Sequence, residues 1–528
     1  MTDGTTQRYA LTVDKFLLHA AKWHPSGQVV TARGEGAVDR IAYPALLDRA
    51  RRVSAALAAR GVTQGTRVAT LAWNTQAHLE AWYAIMGMGA VCHTLNPRLF
   101  AAQSAAMLAQ SAARVLIASA DLAPLVRDIL AAAPAIAEVI VIDGPAEAMA
   151  EAAAGRPVAT LDDIAAADVD PIAWGGFDES APCGLCFTSG TTGAPKGVSY
   201  THRGNYLHTM RQLQADVSGI TARDVVLVAV PMFHANGWGL PFSVPAAGGS
   251  LILPGRHADG ASLVDLIAEE GVTIGVGVPT VWLGLMDLLD ETGRSLPSLE
   301  RIMVGGAPMP PALMQRIEDR GIAVQTTWGM TELSPLGTAA PAASADRDAG
   351  RSGRPAVGVD LMLADSEGNP LPDQRDGEGR LHVRGPSVVE RYFGHDEPAT
   401  RDGWFDTGDL ARIDAAGNLT ITGRAKDLIK SGGEWINPSE IEAIVGALPQ
   451  VALAAVIGRP DPKWGERPIL LVETRDGAPL ADDDLLAPLR GRVAPWWIPD
   501  AVIHLGNMPL ASTGKIDKIR LRSEYGRV

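Results

Sequence analysis

Apolar positions recur along the first part of the chain in two alternating rhythms, and the change of rhythm predicts where helices give way to strands. Over 43–61, Leu46, Leu47, Ala50, Val53, Ala56 and Leu57 fall at helical spacing, and Gly61 stops the run. Residues 67–73 then form a short continuous apolar run, as in a strand buried on both faces. Helical patterns at 76–90 and 101–113 lead on to strand-like runs at 115–119 and 139–143. Alternation of this kind predicts a parallel, doubly wound sheet. It resumes with strands at 225–231, 250–253, 273–278 and 301–304 and helices at 261–270, 281–290 and 311–320, so a second α/β sheet is expected. The alanine-rich stretch 146–167 is expected to be exposed.

Beyond about residue 340 the rhythm shortens to alternating strands at 359–364, 379–384, 410–414 and 418–422, separated by Gly/Asp turns. A small β-subdomain is predicted there, at about 345–425. After the charged, glycine-bearing segment 423–433, a helix at 440–448, strands at 452–457 and 468–473 and a helix at 483–493 predict a separate small α+β domain.

Composition narrows the class. A chain of 528 residues exceeds a single ordinary core, and a net charge of −14 with interspersed signs offers no pull towards nucleic acid or anionic membranes. The N-terminus lacks the basic and apolar regions of a secretory signal, and no apolar run approaches the ~20 residues that a membrane span needs. Three cysteines point to a reducing compartment, so a cytoplasmic protein without a disulfide framework is expected. Cys183 and Cys186 form a CxxC within a predicted strand, where residues three apart face opposite sides, and this disfavours a shared metal.

The chemistry gathers where strands end. The run 183–187 precedes TSGTTGAPKGV at 188–198, whose hydroxyls, glycines and Lys196 suit a phosphate loop. Pro195 and Gly197 depart from the commoner GxxxxGK[ST] loop, which steers away from kinases and motor ATPases. Five further polar or glycine-rich stretches follow: PMFHANGWG at 231–239, GGAP at 305–308, WGMTE at 328–332, DTGDL at 406–410 and STGK at 512–515. Ligands of open α/β sheets gather at the carboxyl ends of strands, which is where the earlier of these stretches fall.

Taken in order, these motifs resemble the AMP-forming acyl-CoA synthetases of the adenylate-forming superfamily, over about residues 10–522. The wording PMFHANGWG, GVPTVW and WGMTELSPLGT is nearest the bacterial medium-chain and methylmercaptopropionate-type CoA ligases. The resemblance implies an N-terminal domain over 1–425, a mobile C-terminal domain over 426–528, and a two-step reaction. A carboxylate attacks the α-phosphate of ATP to give acyl-AMP and pyrophosphate, and CoA then displaces AMP. Thr188, Ser189, Gly190, Thr191, Thr192, Gly193 and Lys196 match the loop over the β- and γ-phosphates. Thr331 matches an α-phosphate hydroxyl, and Glu332 the carboxylate that holds Mg²⁺. Gly305, Gly306, Ala307, Pro308, Trp328, Gly329 and Met330 would complete the ATP site. Asp409 matches a ligand of the ribose hydroxyls and Arg424 a further nucleotide contact. Lys515 matches the cation that reaches the α-phosphate and the incoming carboxylate together. Lys426 falls at the hinge about which the small domain would turn. Lys430, Ser431, Gly432, Gly433 and Trp435 would then meet CoA.

The resemblance also assigns His234, Trp238, Gly305, Pro308 and Trp328 to the acyl pocket, with His234 beside the carboxylate. Two indoles would shorten that pocket, which favours a short or medium aliphatic acid, including thioether acids such as 3-methylmercaptopropionate. Local sequence leaves alternatives open. Trp238 suits a core aromatic, Glu332 a helix-start carboxylate, Asp409 an Asx turn, and Gly432–Gly433 a plain turn. An adenylation enzyme that loads a separate carrier protein is a second reading, and a silent nucleotide-binding homologue a third. A homodimer is a family-level expectation.

Overall fold

The computed structural model describes residues 5–188, 195–342, 347–475, 480–511 and 514–526. It is a mixed α/β protein, with a large N-terminal lobe built on three sheets and a smaller β-rich C-terminal lobe. The first sheet has seven strands in the order Val158–Thr160, Glu138–Ile142, Val115–Ser119, Arg67–Leu71, Val91–Leu95, Pro182–Phe187, Gly197–Thr201. All pairs are parallel except the last, where the chain reverses through the phosphate-loop motif.

The second sheet has nine strands around a parallel centre of Ser250–Leu253, Val225–Val228, Ile274–Gly277, Arg301–Val304 and Ala323–Gly329. One edge is closed by the hairpin Gln28–Gly34 and Ala37–Ala42, which helical and strand rhythms had left unassigned. Its outer strand has no buried residue, so burial leaves little imprint on the sequence. The strand Val91–Leu95 was also missed, because His93 and Thr94 interrupt an otherwise apolar run that is buried throughout.

Two expectations need correcting. The stretch 146–167 is folded: Met149, Ala153, Leu161 and Ile164 are buried, and Val158–Thr160 adds an edge strand. Alanine hides this because its small side chain packs closely without looking strongly apolar. The helix expected at 483–493 is confined to Asp482–Leu486 and a 3₁₀ turn at Ala487–Leu489, since Pro488 cannot continue an α-helix. The three cysteines are free and buried.

The third sheet is antiparallel and holds Asp360–Ala364, Gly377–Arg384, Thr400–Arg401, Trp404–Ile413 and Leu419–Arg424. The small lobe follows from Ile429, with a five-stranded sheet and the helices Pro438–Gly446 and Lys518–Tyr525. Among the described residues no helix is long and apolar enough to cross a membrane.

Asn74 fixes the two large sheets together. Its Nδ2 donates to the carbonyls of Val228 at 2.9 Å and Val230 at 2.7 Å, and its Oδ1 accepts from the Met232 amide at 2.7 Å. A side chain at the end of one sheet's strand thus completes the backbone of a strand end in the other, and the two sets of loops converge.

Candidate active site

The loops that leave Pro182–Phe187, Arg301–Val304 and Ala323–Gly329 supply most of the predicted groups. The reversal after Phe187 is closed by the Thr188 amide donating to the Lys196 carbonyl at 2.9 Å. Ser189, Gly190, Thr191, Thr192 and Gly193 lie outside the described residues, as do Ser512 and Thr513 of the STGK motif. Lys196 is exposed, with its ammonium 4.8 Å from the centre of the Tyr392 ring.

Thr331 and Glu332 form a buried 3₁₀ turn just beyond Gly329 and Met330. The Tyr200 hydroxyl donates to the Thr331 carbonyl at 2.9 Å, and the Tyr392 hydroxyl donates to Glu332 Oε1 at 3.0 Å. Burial pushes the Glu332 carboxyl above the ordinary carboxylate range, while Arg424 and Lys196 draw it back. At Gly329 the chain passes so close to the Pro335 carbonyl that a Cβ would clash with its oxygen, so only glycine fits.

Asp409 and Arg424 face each other across adjacent strands of the third sheet. Arg424 Nε lies 2.6 Å from Asp409 Oδ1, and Trp328 Nε1 donates to Oδ2 at 3.0 Å. The carboxylate is only 2% exposed, so burial raises its pKa, opposed by Arg424, Trp328 and Lys515. The third sheet thereby supplies an anion to the end of the second.

Trp238 and the GGAP turn form the remaining wall. Asn236, Gly237, Trp238 and Gly239 all have left-handed backbone, with φ of 54°, 54°, 55° and 75°. This turn lays the indole over the glycines: a Cβ at Gly305 would be 3.1 Å from Trp238 Cη2, and one at Gly306 would be 3.4 Å from Cζ2. Trp238 is therefore neither a plain core aromatic nor a free surface group, since it packs on the core while lining the turn. Ala307 is half-buried and Pro308 exposed at its rim. On the other side, His234 borders a narrow hollow shared with Thr94, Asn96, Leu99, Met107, Phe187 and Phe233. Burial, then the nearby Lys515, draws the His234 pKa down to about 4, which leaves the imidazole neutral at neutral pH.

Lys515 reaches this centre from the small lobe. Its Cε would stand 3.6 Å from a Cβ at Gly306, and Thr280 Oγ1 donates to the neighbouring Gly514 carbonyl at 3.2 Å. Burial and the Arg424 charge draw its pKa down to about 8, with Asp409 and Glu332 opposing. Glu332, Asp409, Arg424 and His234 thus all lie within electrostatic reach of Lys515.

The groups assigned to CoA are not brought to this centre. Lys430 pairs with Trp435, and Ser431 with Glu434, across a hairpin whose tip is Gly432 and Gly433, at φ 60° and 92°. Among the described residues its hydrogen bonds stay within the small lobe: the Gly432 amide donates to the Trp464 carbonyl at 2.7 Å, and Arg467 donates to Ser431 Oγ at 3.2 Å. Lys430 lies 5.4 Å over the exposed Trp435 ring. Lys426 is the exposed residue of the half-buried turn Ala425–Asp427, between the last strand of one lobe and the first of the other.

Sequence reasoning overlooked Tyr200, Tyr392 and Asn437. Asn437 caps the helix Pro438–Gly446 and donates to the Thr422 carbonyl at 2.6 Å, which ties the small lobe to the strand before the turn. A cap signal, Asn before Pro, was present; the tyrosines follow no periodicity.

Residues 17–393 match the AMP-binding enzyme family and residues 440–515 its C-terminal domain. A 3-methylmercaptopropionyl-CoA ligase of Ruegeria pomeroyi is 41% identical over 99% of this chain and 98% of its own length. A medium-chain-fatty-acid–CoA ligase of Ectopseudomonas oleovorans is 40% identical over the same shares. The crystal structure of ATP-bound MatB from Rhodopseudomonas palustris superposes with a TM-score of 0.83 at 28% identity, covering 98% of this chain and 99% of that one.

Proposed function

Since the chain belongs to the AMP-binding enzyme family and is an AMP-forming acid:CoA ligase, we propose that its fixed lobe holds ATP and that its small lobe delivers the cation for adenylation. One observation carries this reading: Lys515 comes from the small lobe yet lies against Gly306, beside Asp409, Arg424 and Glu332. In adenylation an anionic acid meets an anionic triphosphate, so catalysis rests on placed positive charge and donors.

In this reading Asp409 accepts the ribose hydroxyls, Arg424 and Thr331 contact the phosphates, and Lys196 with Thr188 through Gly193 holds the leaving pyrophosphate. Glu332 would hold Mg²⁺: it is a buried hard-oxygen anion, and among the described residues no group of three or more His, Cys, Asp or Glu forms a cage. Magnesium would take its remaining ligands from phosphate and water, and it would neutralise triphosphate charge. Lys515 then bridges the α-phosphate and the acid.

For the second step the small lobe, residues 426–528, would turn about Lys426. This withdraws Lys515 and carries Lys430, Ser431, Gly432, Gly433 and Trp435 towards CoA. The exposure of that hairpin while Lys515 is docked supports two alternative faces. Trp238 over Gly305 and Gly306 narrows the acyl space, and the similarity to ligases of methylmercaptopropionate and of medium-chain acids supports a short or medium aliphatic acid. Buried free cysteines support a cytoplasmic location, and homodimer assembly belongs to the same proposal.

The test is exchange of pyrophosphate into ATP across straight-chain acids from about C3 to about C18 and 3-methylmercaptopropionate, followed by AMP release with and without CoA. Exchange confined to short and medium acids, with CoA-dependent release, is expected. A preference for acids beyond C12 would overturn the substrate assignment, and exchange without CoA turnover would favour a carrier protein as acceptor. Light scattering gives the oligomer.

A further inference from the structure

The segment 387–393 carries none of the motifs above, yet it binds both anion-handling elements of the fixed lobe. The Val389 amide donates to the Glu332 carbonyl at 2.7 Å, and Ser387 Oγ donates to the Leu333 carbonyl at 3.1 Å. At its other end the Phe393 amide donates to the Gly197 carbonyl at 2.7 Å, immediately after Lys196. A Cβ at Gly197 would meet Phe393 Cβ at 3.0 Å, so the two backbones are pressed together. From its buried position Arg211 braces the same strap, donating to Ser387 Oγ at 2.6 Å and to the carbonyls of Leu333 and Leu336 at 3.1 Å and 2.7 Å.

Tyr392 lies at the middle of this arrangement. Its hydroxyl donates to Glu332 Oε1 at 3.0 Å while the Lys196 ammonium sits 4.8 Å over its ring. Edge contacts with Phe405, at 6.5 Å between centroids, and His395, at 6.2 Å, fix the ring plane. A single rigid side chain therefore touches the carboxylate assigned to the metal with its polar end and the cation assigned to pyrophosphate with its face. We propose that Tyr392 is a positioning residue for adenylation, which orients Glu332 for the metal and parks Lys196 so that both meet the triphosphate in register.

The proposal rests on the reading of Glu332 and Lys196 above, and two substitutions separate its halves. Tyr392→Phe keeps the ring and removes the hydroxyl; Tyr392→Leu removes both. The readout is the ratio of ATP dissociation constants measured by calorimetry on the full chain, in EDTA and with Mg²⁺. A hydrogen bond to a charged group is worth about ten- to a hundredfold, so Tyr392→Phe is expected to shrink the Mg²⁺-dependent gain by about tenfold. Its metal-free ATP affinity should be unchanged. Tyr392→Leu should weaken metal-free ATP as well, by about two- to fivefold, through the lost cation–π contact.

In both variants, attack of CoA on supplied acyl-AMP reports whether the fold is intact and should match the parent enzyme. A Tyr392→Phe ratio equal to the parent's, or equal loss in the EDTA and Mg²⁺ arms, overturns the proposal. A parent enzyme with no Mg²⁺-dependent gain overturns the metal reading of Glu332, and this proposal with it.

Discussion

The two lobes contribute charge to one centre by opposite means. In the large lobe Asp409 and Glu332 are buried and held by named partners: Arg424 and Trp328 for the one, Tyr392 and the backbone of 387–393 for the other. In the small lobe Lys515 is drawn towards neutrality by burial, and its turn is held to the large lobe through Thr280 and Gly514. A site that holds one substrate through both steps needs fixed groups, whereas a group needed in one step only must be able to leave. On the reading proposed above, the anions are part of the fold and the lysine is a visitor to it.

The largest effect should come from removing the visitor. Lys515→Ala is expected to slow pyrophosphate exchange by at least ~10²- to 10³-fold, the loss seen when a placed transition-state donor is deleted. Attack of CoA on supplied acyl-AMP should be nearly unchanged. Denaturation in urea should show no loss of stability, because burying this ammonium costs rather than contributes. The lysine's pKa falls from 10.5 to about 8 on folding, so its penalty is full below pH 8 and is relieved as pH rises towards 10.5. Equal loss in both half-reactions would mean that Lys515 is fixed after all.

Asp409→Ala should invert that pattern. It leaves the buried Trp328 N–H without its partner and a hole where the carboxylate stood, while the half-exposed Arg424 turns to water, so stability should fall by about 1–3 kcal/mol. The KM for ATP should rise by about tenfold or more. Chemical denaturation alongside ATP kinetics checks both. A variant with weaker ATP binding but unchanged stability would show that Asp409 is no more built into the fold than Lys515.

A smaller effect follows from pH. With the Lys515 pKa near 8 in the free enzyme, kcat/KM for adenylation should decline as pH rises through about 8, by about tenfold for each unit beyond it. The groups facing the lysine set the sign: burial and Arg424 lower its pKa, while Asp409 and Glu332 raise it. Bound triphosphate adds negative charge, so the kcat profile should bend at higher pH than the kcat/KM profile. A kcat/KM for adenylation that stays flat from pH 7 to 9.5 would remove the lysine from the step.

The same contrast explains what the sequence made legible. The strands at 115–119, 250–253 and 301–304 were readable because burial on both faces leaves unbroken apolar runs. Loops such as GGAP and WGMTE were readable because tight packing favours glycine, at Gly305 against the Thr327 hydroxyl and at Gly329 against the Pro335 backbone. Tyr392 was not, since a side chain that works by touching two distant segments follows no local period. The hairpin at 28–42 was hidden by its exposed face, and the buried alanines at 152–153 by their small size.

The smallest effect tests how weakly the visitor is docked. The helix Pro279–Thr292 is the docking post: Thr280 near its start holds the Gly514 carbonyl, and Asp287 in its middle lies 3.7 Å from Arg475 of the small lobe. Asp287 is shared with Arg316 at 2.8 Å, and it is more than half exposed, so water and salt screen the inter-lobe pair. Arg475→Gln should therefore slow pyrophosphate exchange by less than about fivefold and leave or slightly speed the CoA step, since it favours the undocked lobe. The difference from the parent enzyme should vanish in roughly 0.5 M salt, where the Debye length falls below the pair's reach to other charges. A larger loss, or one that persists in salt, would mean that the lobes are locked by this pair and that docking, rather than chemistry, sets the rate of the first step.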